Sequence, residues 1–141
     1  MTSMLMIHLA ITWIMVGIIW MVQVVHYPLM AYTGPDHSAR YQQLHVQRMG
    51  VLVAPIMIVE ALASVWLCIQ SPLLTNAWAA WLGLGLLAGI WLVTACISVP
   101  AHESLTRSFD PSVHRRLVSS NGIRSALWSC RGLVAMLLVV Q

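Results

Sequence analysis

The groups able to do chemistry in this 141-residue chain are six histidines, four carboxylates and seven cationic side chains, every one of the last an arginine. Four of the histidines, His26, His45, His102 and His114, stand beside the ends of apolar stretches, and Glu103 follows one of them directly. Neutral imidazole suits zinc, copper, iron and haem iron alike. A shared site built from His26, His45 and His102, completed or oriented by Glu103 or His114, is therefore expected to hold a metal ion (Fe, Cu or Zn) or a haem. No two of these histidines are spaced i, i+3 or i, i+4, so the ligands must come together from separate elements. Arg48, Arg124, Asn121 and Tyr27 are the candidate catalytic residues. They would line a substrate pocket and supply donors toward an oxygen-bearing ligand in a low-dielectric site.

The elements that position these residues follow from composition. Hydrophobic residues make up 60% of the chain and charged residues 8%, against about 25% charged in a soluble domain. This excludes a water-soluble globule, a disordered tail and a nucleic-acid partner, and implies an integral membrane protein whose main partner is the lipid bilayer. A helix needs about 20 residues to cross a bilayer. On that measure the chain reads as one all-α transmembrane domain, a four-helix bundle over residues 1–141, with spans at about 4–27, 49–69, 78–99 and 112–140. The apolar run 132–140 cannot cross alone, so the fourth span must begin near Pro111, a favoured first helical residue beside Asp110. The first stretch has no positive n-region and no small-residue cleavage site, so it is expected to be retained as an anchor. Arg40, Arg48, Arg107, Arg115 and Arg116 border two of the connections, whereas 70–77 carries no charge. The net charge of +3 thus reads as orientation: both termini outward, in a bacterial inner membrane. The four histidines then share one layer.

Helical spacing at about 100° per residue groups further side chains. His8, Thr12, Gln23 and His26 form one stripe, and His45, Met49, Leu52, Ile56, Glu60 and Ala63 a second. His114, Leu117, Asn121, Arg124, Trp128 and Arg131 form a third. Glu60, eleven residues past Met49, lies roughly 16 Å along its span and needs a partner, for which Arg124 is expected. Simpler roles compete: a histidine at a span end can snorkel to the interface, and a protonated Glu60 can bond to backbone. Cys68, Cys96 and Cys130 stand singly and suit packing. Gly85 and Gly89 give a GxxxG spacing open to helix packing or a homo-oligomer.

The run Val99-Pro100-Ala101-His102-Glu103-Ser104-Leu105, then Asp110-Pro111, Asn121-Gly122-Ile123-Arg124 and Trp128, resembles the pattern of the anthrone-oxygenase-like small four-helix membrane proteins. In that group a Val-Pro-x-Asn-x-x-Leu turn after the third span precedes a polar fourth span with an Arg; here His102 takes the place of the Asn. The resemblance implies oxygen-dependent oxidation of a lipophilic or aromatic molecule. The residues themselves favour redox work over hydrolysis, because a cavity walled by Met, Trp and Leu would admit lipid-soluble substrates. The expected function is a membrane-embedded oxidoreductase or oxygenase acting on a lipophilic small molecule through a His-ligated metal or haem. A non-catalytic accessory subunit of a larger membrane complex and a small proton-linked carrier are the alternatives.

Overall fold

The computed structural model describes residues 2–140, and its architecture is an all-α bundle of four long helices. We name them α1 (Thr2–Met30), α2 (Pro35–Ile69), α3 (Ala77–Leu105) and α4 (Pro111–Val139). Each is long and apolar enough to cross a membrane. Residues 1 and 141 of the expected single unit lie outside the described residues. A short 3-10 turn, Ser71–Leu73, joins α2 to α3.

Prolines stand in all four helices, and in α1 and α3 they reshape the backbone. Pro28 in α1 and Pro100 in α3 have no N–H to offer the carbonyl four residues back, and their rings crowd it. In each case the helix widens just before the proline into a π-turn, Val22–His26 in α1 and Thr94–Ser98 in α3. The i→i+5 bonds Tyr27 N–H to Val22 C=O and Val99 N–H to Thr94 C=O mark the two turns. Helix α4 starts at Pro111 as expected, its first turn capped by Asp110, whose carboxylate accepts from the Ser112 and Val113 amides. The Ser112 hydroxyl, which donates to the same carboxylate oxygen, and those two amides hold the Asp110 carboxyl below its ordinary value.

Helix α2 departs from the expected span. The apolar stretch begins at Met49, yet the helix begins at Pro35, immediately after Gly34, which takes the left-handed backbone (φ 75°) that ends the link from α1. Hydropathy marks where side chains turn apolar, whereas backbone hydrogen bonding continues through the polar turns before it. Tyr41, Gln42 and His45 are consequently helical.

Helix α4 packs along both α1 and α3, while α2 lies more loosely against the bundle. The core runs in three layers: Leu5, Leu67, Ala79 and Leu138 near the termini; Met15, Met57, Leu87, Ile90 and Trp128 in the middle; Val22, Tyr27, Met30, Leu105 and Leu117 at the arginine-rich end. Between the first two layers sits a closed charge network. Glu60 is 0% exposed and Arg131 1%. Arg131 donates to Glu60 Oε2 at 2.6 Å, to Ser64 Oγ at 2.5 Å and to the Gly83 carbonyl. Thr12 donates to the other Glu60 oxygen, and His8 Nδ1 lies 3.3 Å from Oε2. Gly83 has no side chain to keep the guanidinium from its backbone; a Cβ there would stand 3.4 Å from Arg131 Nη1.

The expected Glu60–Arg124 pair is thus corrected: the partner of Glu60 is Arg131. Helices α2 and α4 run the same way, and their far ends are nearly level. Glu60 stands nine residues before the end of α2 at Ile69 and Arg131 eight before the end of α4 at Val139, whereas Arg124 is fifteen before it. Measuring Glu60 from Met49 instead of from a helix end set it a full two turns out of register.

Candidate functional site

At the arginine-rich end, the widened turns of α1 and α3 and the polar turns of α2 meet α4 around a cavity of about 280 Å³. Met15, Ile19 and Val22 of α1, Met49, Val53 and Met57 of α2 and Trp91 of α3 make its apolar wall. One end is polar, formed by Tyr27, His45, His102, Asn121 and Arg124, with Ser98 beside them. Apolar walls with a few convergent polar groups are the usual make-up of a small-molecule site.

Each polar residue is held from behind. Asn121 donates from Nδ2 to Gln23 Oε1 at 2.8 Å and to the Ile19 carbonyl at 3.4 Å, so its Oδ1 faces Arg124 Nη1 at 3.5 Å. The His102 ring is clamped at both nitrogens: Gln42 Nε2 lies 2.5 Å from Nδ1 and Tyr27 OH 2.9 Å from Nε2. With the Gln42 amide nitrogen donating to Nδ1, the ring carries its proton on Nε2 and donates it to the Tyr27 oxygen. The phenolic hydrogen is then free to point into the cavity. The Tyr27 carbonyl accepts from His114 Nε2 at 3.0 Å, fixing the end of α1 on α4. His45 stacks on His26, with centroids 4.1 Å apart and planes 18° off parallel, and His26 stacks in turn on Tyr41, whose OH is 3.4 Å from His26 Nδ1.

Arg124 is the unusual member. It is 7% exposed, its Nε has no hydrogen-bond partner, and no carboxylate among the described residues pairs with it. Glu60 is taken by Arg131, Glu103 by Arg107 and Asp110 by the α4 cap; Asp36 is exposed at the start of α2.

The expected site residues separate accordingly. Tyr27, His45, His102, Asn121 and Arg124 come together. His26 stands behind His45 and does not line the cavity. Arg48 is exposed, on the face of α2 roughly opposite the lining residues at 100° per residue. Glu103 points away and pairs with Arg107 at 2.9 Å on the surface, and His114 is buried against Tyr27 and Phe109. The expected metal set, His26, His45, His102, Glu103 and His114, therefore does not converge, and among the described residues no three His, Cys, Asp or Glu are placed to hold a metal ion. Ring nitrogens bind metals along lone pairs in the ring plane, and near-parallel stacked rings aim those lone pairs side by side instead of at one point. His102 also has both nitrogens engaged. The residues present do not form the expected multi-histidine metal site.

Gln42 and Tyr41 were not among the expected site residues. Their signal was there, three and four residues before His45, but only once α2 is known to begin at Pro35. Of the GxxxG pair, Gly89 lies against Leu127 and Gly85 has nothing within 4 Å.

No family model matches this chain, nor does any curated protein or solved structure.

Proposed function

We propose that the protein is a membrane-embedded enzyme that binds a lipophilic molecule carrying a carbonyl or anionic oxygen and promotes its deprotonation for oxidation. The observation that carries this reading is Arg124, a buried guanidinium without a carboxylate partner at the polar end of an apolar cavity. An unpaired buried cation is costly, and intramembrane ionisable groups mark functional sites by default; an oxygen anion supplied by a ligand would offset that cost. Arg124 N–H and Tyr27 O–H are the two donors to that oxygen, a preorganised arrangement favouring an enolate over its ketone. His45 lines the cavity with no hydrogen bond to its ring among the described residues and is positioned to take the proton from a ring methylene conjugated to the carbonyl, so that the charge appears on the carbonyl oxygen. The resemblance to the anthrone-oxygenase-like group supports molecular oxygen as the oxidant: a ring methylene becomes a carbonyl, dioxygen accepts its electrons, and one water is released. The four long apolar helices and the arginines gathered at one end support a membrane location with both termini outward.

The test uses purified protein in lipid nanodiscs with anthrone as the probe. Binding and oxygen-dependent formation of the quinone are expected in the wild type. Arg124→Gln removes a charge-assisted hydrogen bond of about 1.5–3 kcal/mol, and so is expected to weaken binding roughly ten- to a hundredfold. Unchanged anthrone affinity in Arg124→Gln, or none in the wild type, refutes the reading.

A further inference from the structure

The cavity is not closed on all sides. Val46, Gly50 and Ala54 of α2, one turn apart, line it and are also exposed on the outside of the bundle; so are Trp91 and Val99 of α3. The opposite flank of α2, with Pro55, Ile56 and Val59, forms a separate apolar groove with Ile11 and Ile14 of α1. The exposed lining residues therefore edge a gap between α2 and α3. That gap leads from the lateral surface of the bundle to Arg124, between two helices each long and apolar enough to cross a membrane. Its α2 edge is built from small residues: a Cβ placed on Gly50 meets nothing within 4 Å.

Resting on the oxygen-binding reading above, we propose that the substrate enters from the bilayer through this gap, and that it is an amphiphile whose oxygen-bearing head reaches Arg124 while its apolar tail remains between Gly50 and Trp91. A closed cavity of about 280 Å³ would set an upper limit on substrate size. A lateral gap removes that limit for the tail, since whatever exceeds the cavity stays in lipid at no cost in exposed apolar surface. Gly50 and Ala54 are then specificity-determining residues: they admit the tail and do not touch the reacting atoms.

The experiment compares anthrone with anthrones bearing a butyl or a decyl ether tail, binding to protein in nanodiscs with concentrations expressed per membrane volume. The decyl compound is expected to bind wild type at least as well as anthrone. Gly50→Trp is expected to weaken the decyl compound about tenfold or more and to leave anthrone within about threefold. Ala54→Leu, a milder obstruction on the same edge, is expected to act in the same direction, and Gly85→Trp, on an open face of α3, to change neither. A loss of decyl binding in the wild type, or equal weakening of tailed and tailless probes by Gly50→Trp in folded protein, overturns the lateral gap while leaving the Arg124 site standing. Failure of every member to bind the wild type overturns the oxygen-binding reading, and the gap as its entrance with it.

Discussion

Replacing Glu60 by Gln leaves Arg131 at 1% exposure with its charge unmatched. Breaking a buried pair from one side costs about 3 to 5 kcal/mol. Arg131→Met strands the carboxylate of Glu60, 0% exposed, and removes the donors to Ser64 and the Gly83 carbonyl, so a loss in the same range is expected. The double variant has neither charge. What remains is the loss of the Arg131 bonds to the Gly83 carbonyl and to Ser64 Oγ, which still donates to the Glu60 carbonyl, together about 1–3 kcal/mol. The two substitutions are therefore coupled by at least about 3 kcal/mol. Arg124 supplies the internal control, because Glu60→Gln and Arg124→Met share no contact and their effects are expected to add within about 0.5 kcal/mol. Unfolding of each variant by SDS in mixed micelles, followed by tryptophan fluorescence and near-ultraviolet circular dichroism, measures all the terms. Additive losses for Glu60 and Arg131, or coupling of Glu60 with Arg124, would refute the network as described.

Further outcomes follow from the same geometry. Arg124→Met, which removes an unpaired buried cation, is expected to leave the unfolding midpoint unchanged or higher while abolishing anthrone binding, a separation that thermal unfolding and binding read independently. Tyr27→Phe removes one of two donors to the ligand oxygen and the acceptor for His102; anthrone affinity measured by titration is expected to drop about tenfold. The Asp110 cap carries a pH dependence. Its carboxyl is held below the ordinary value by the Ser112 and Val113 bonds, so its contribution is full above the unfolded pKa near 3.8 and is lost as pH falls through the lower folded value. Amide exchange in the first turn of α4 is expected to accelerate across that window in the wild type and not in Asp110→Asn, which keeps a capping oxygen without a titration.

Residue order alone determined the four helices and the end at which their polar residues gather. Apolar runs of about 20 residues have the length of a membrane-crossing helix and exceed that of a strand, and with short connections alternate helices must return, which brings His45, His102, Tyr27 and Arg124 toward one end whatever the details of packing. The start of α4 at Pro111 was legible for a similarly local reason, a proline whose missing N–H and fixed φ suit only the first turn, beside an acidic cap. What tertiary structure alone decided were the relations between helices. The choice of Arg131 over Arg124 for Glu60 depends on the axial offset of α2 and α4, which no periodicity within one helix encodes. The stacking of His26 on His45, in place of convergence on a metal, depends on how far each helix is rotated about its axis. The assignment of Arg48 to the outside and Arg124 to the cavity depends on the same rotation, since both sit on helices near the same end. That Gly50 both lines the cavity and is exposed outside the bundle depends on how the four helix surfaces fit together and not on any one of them.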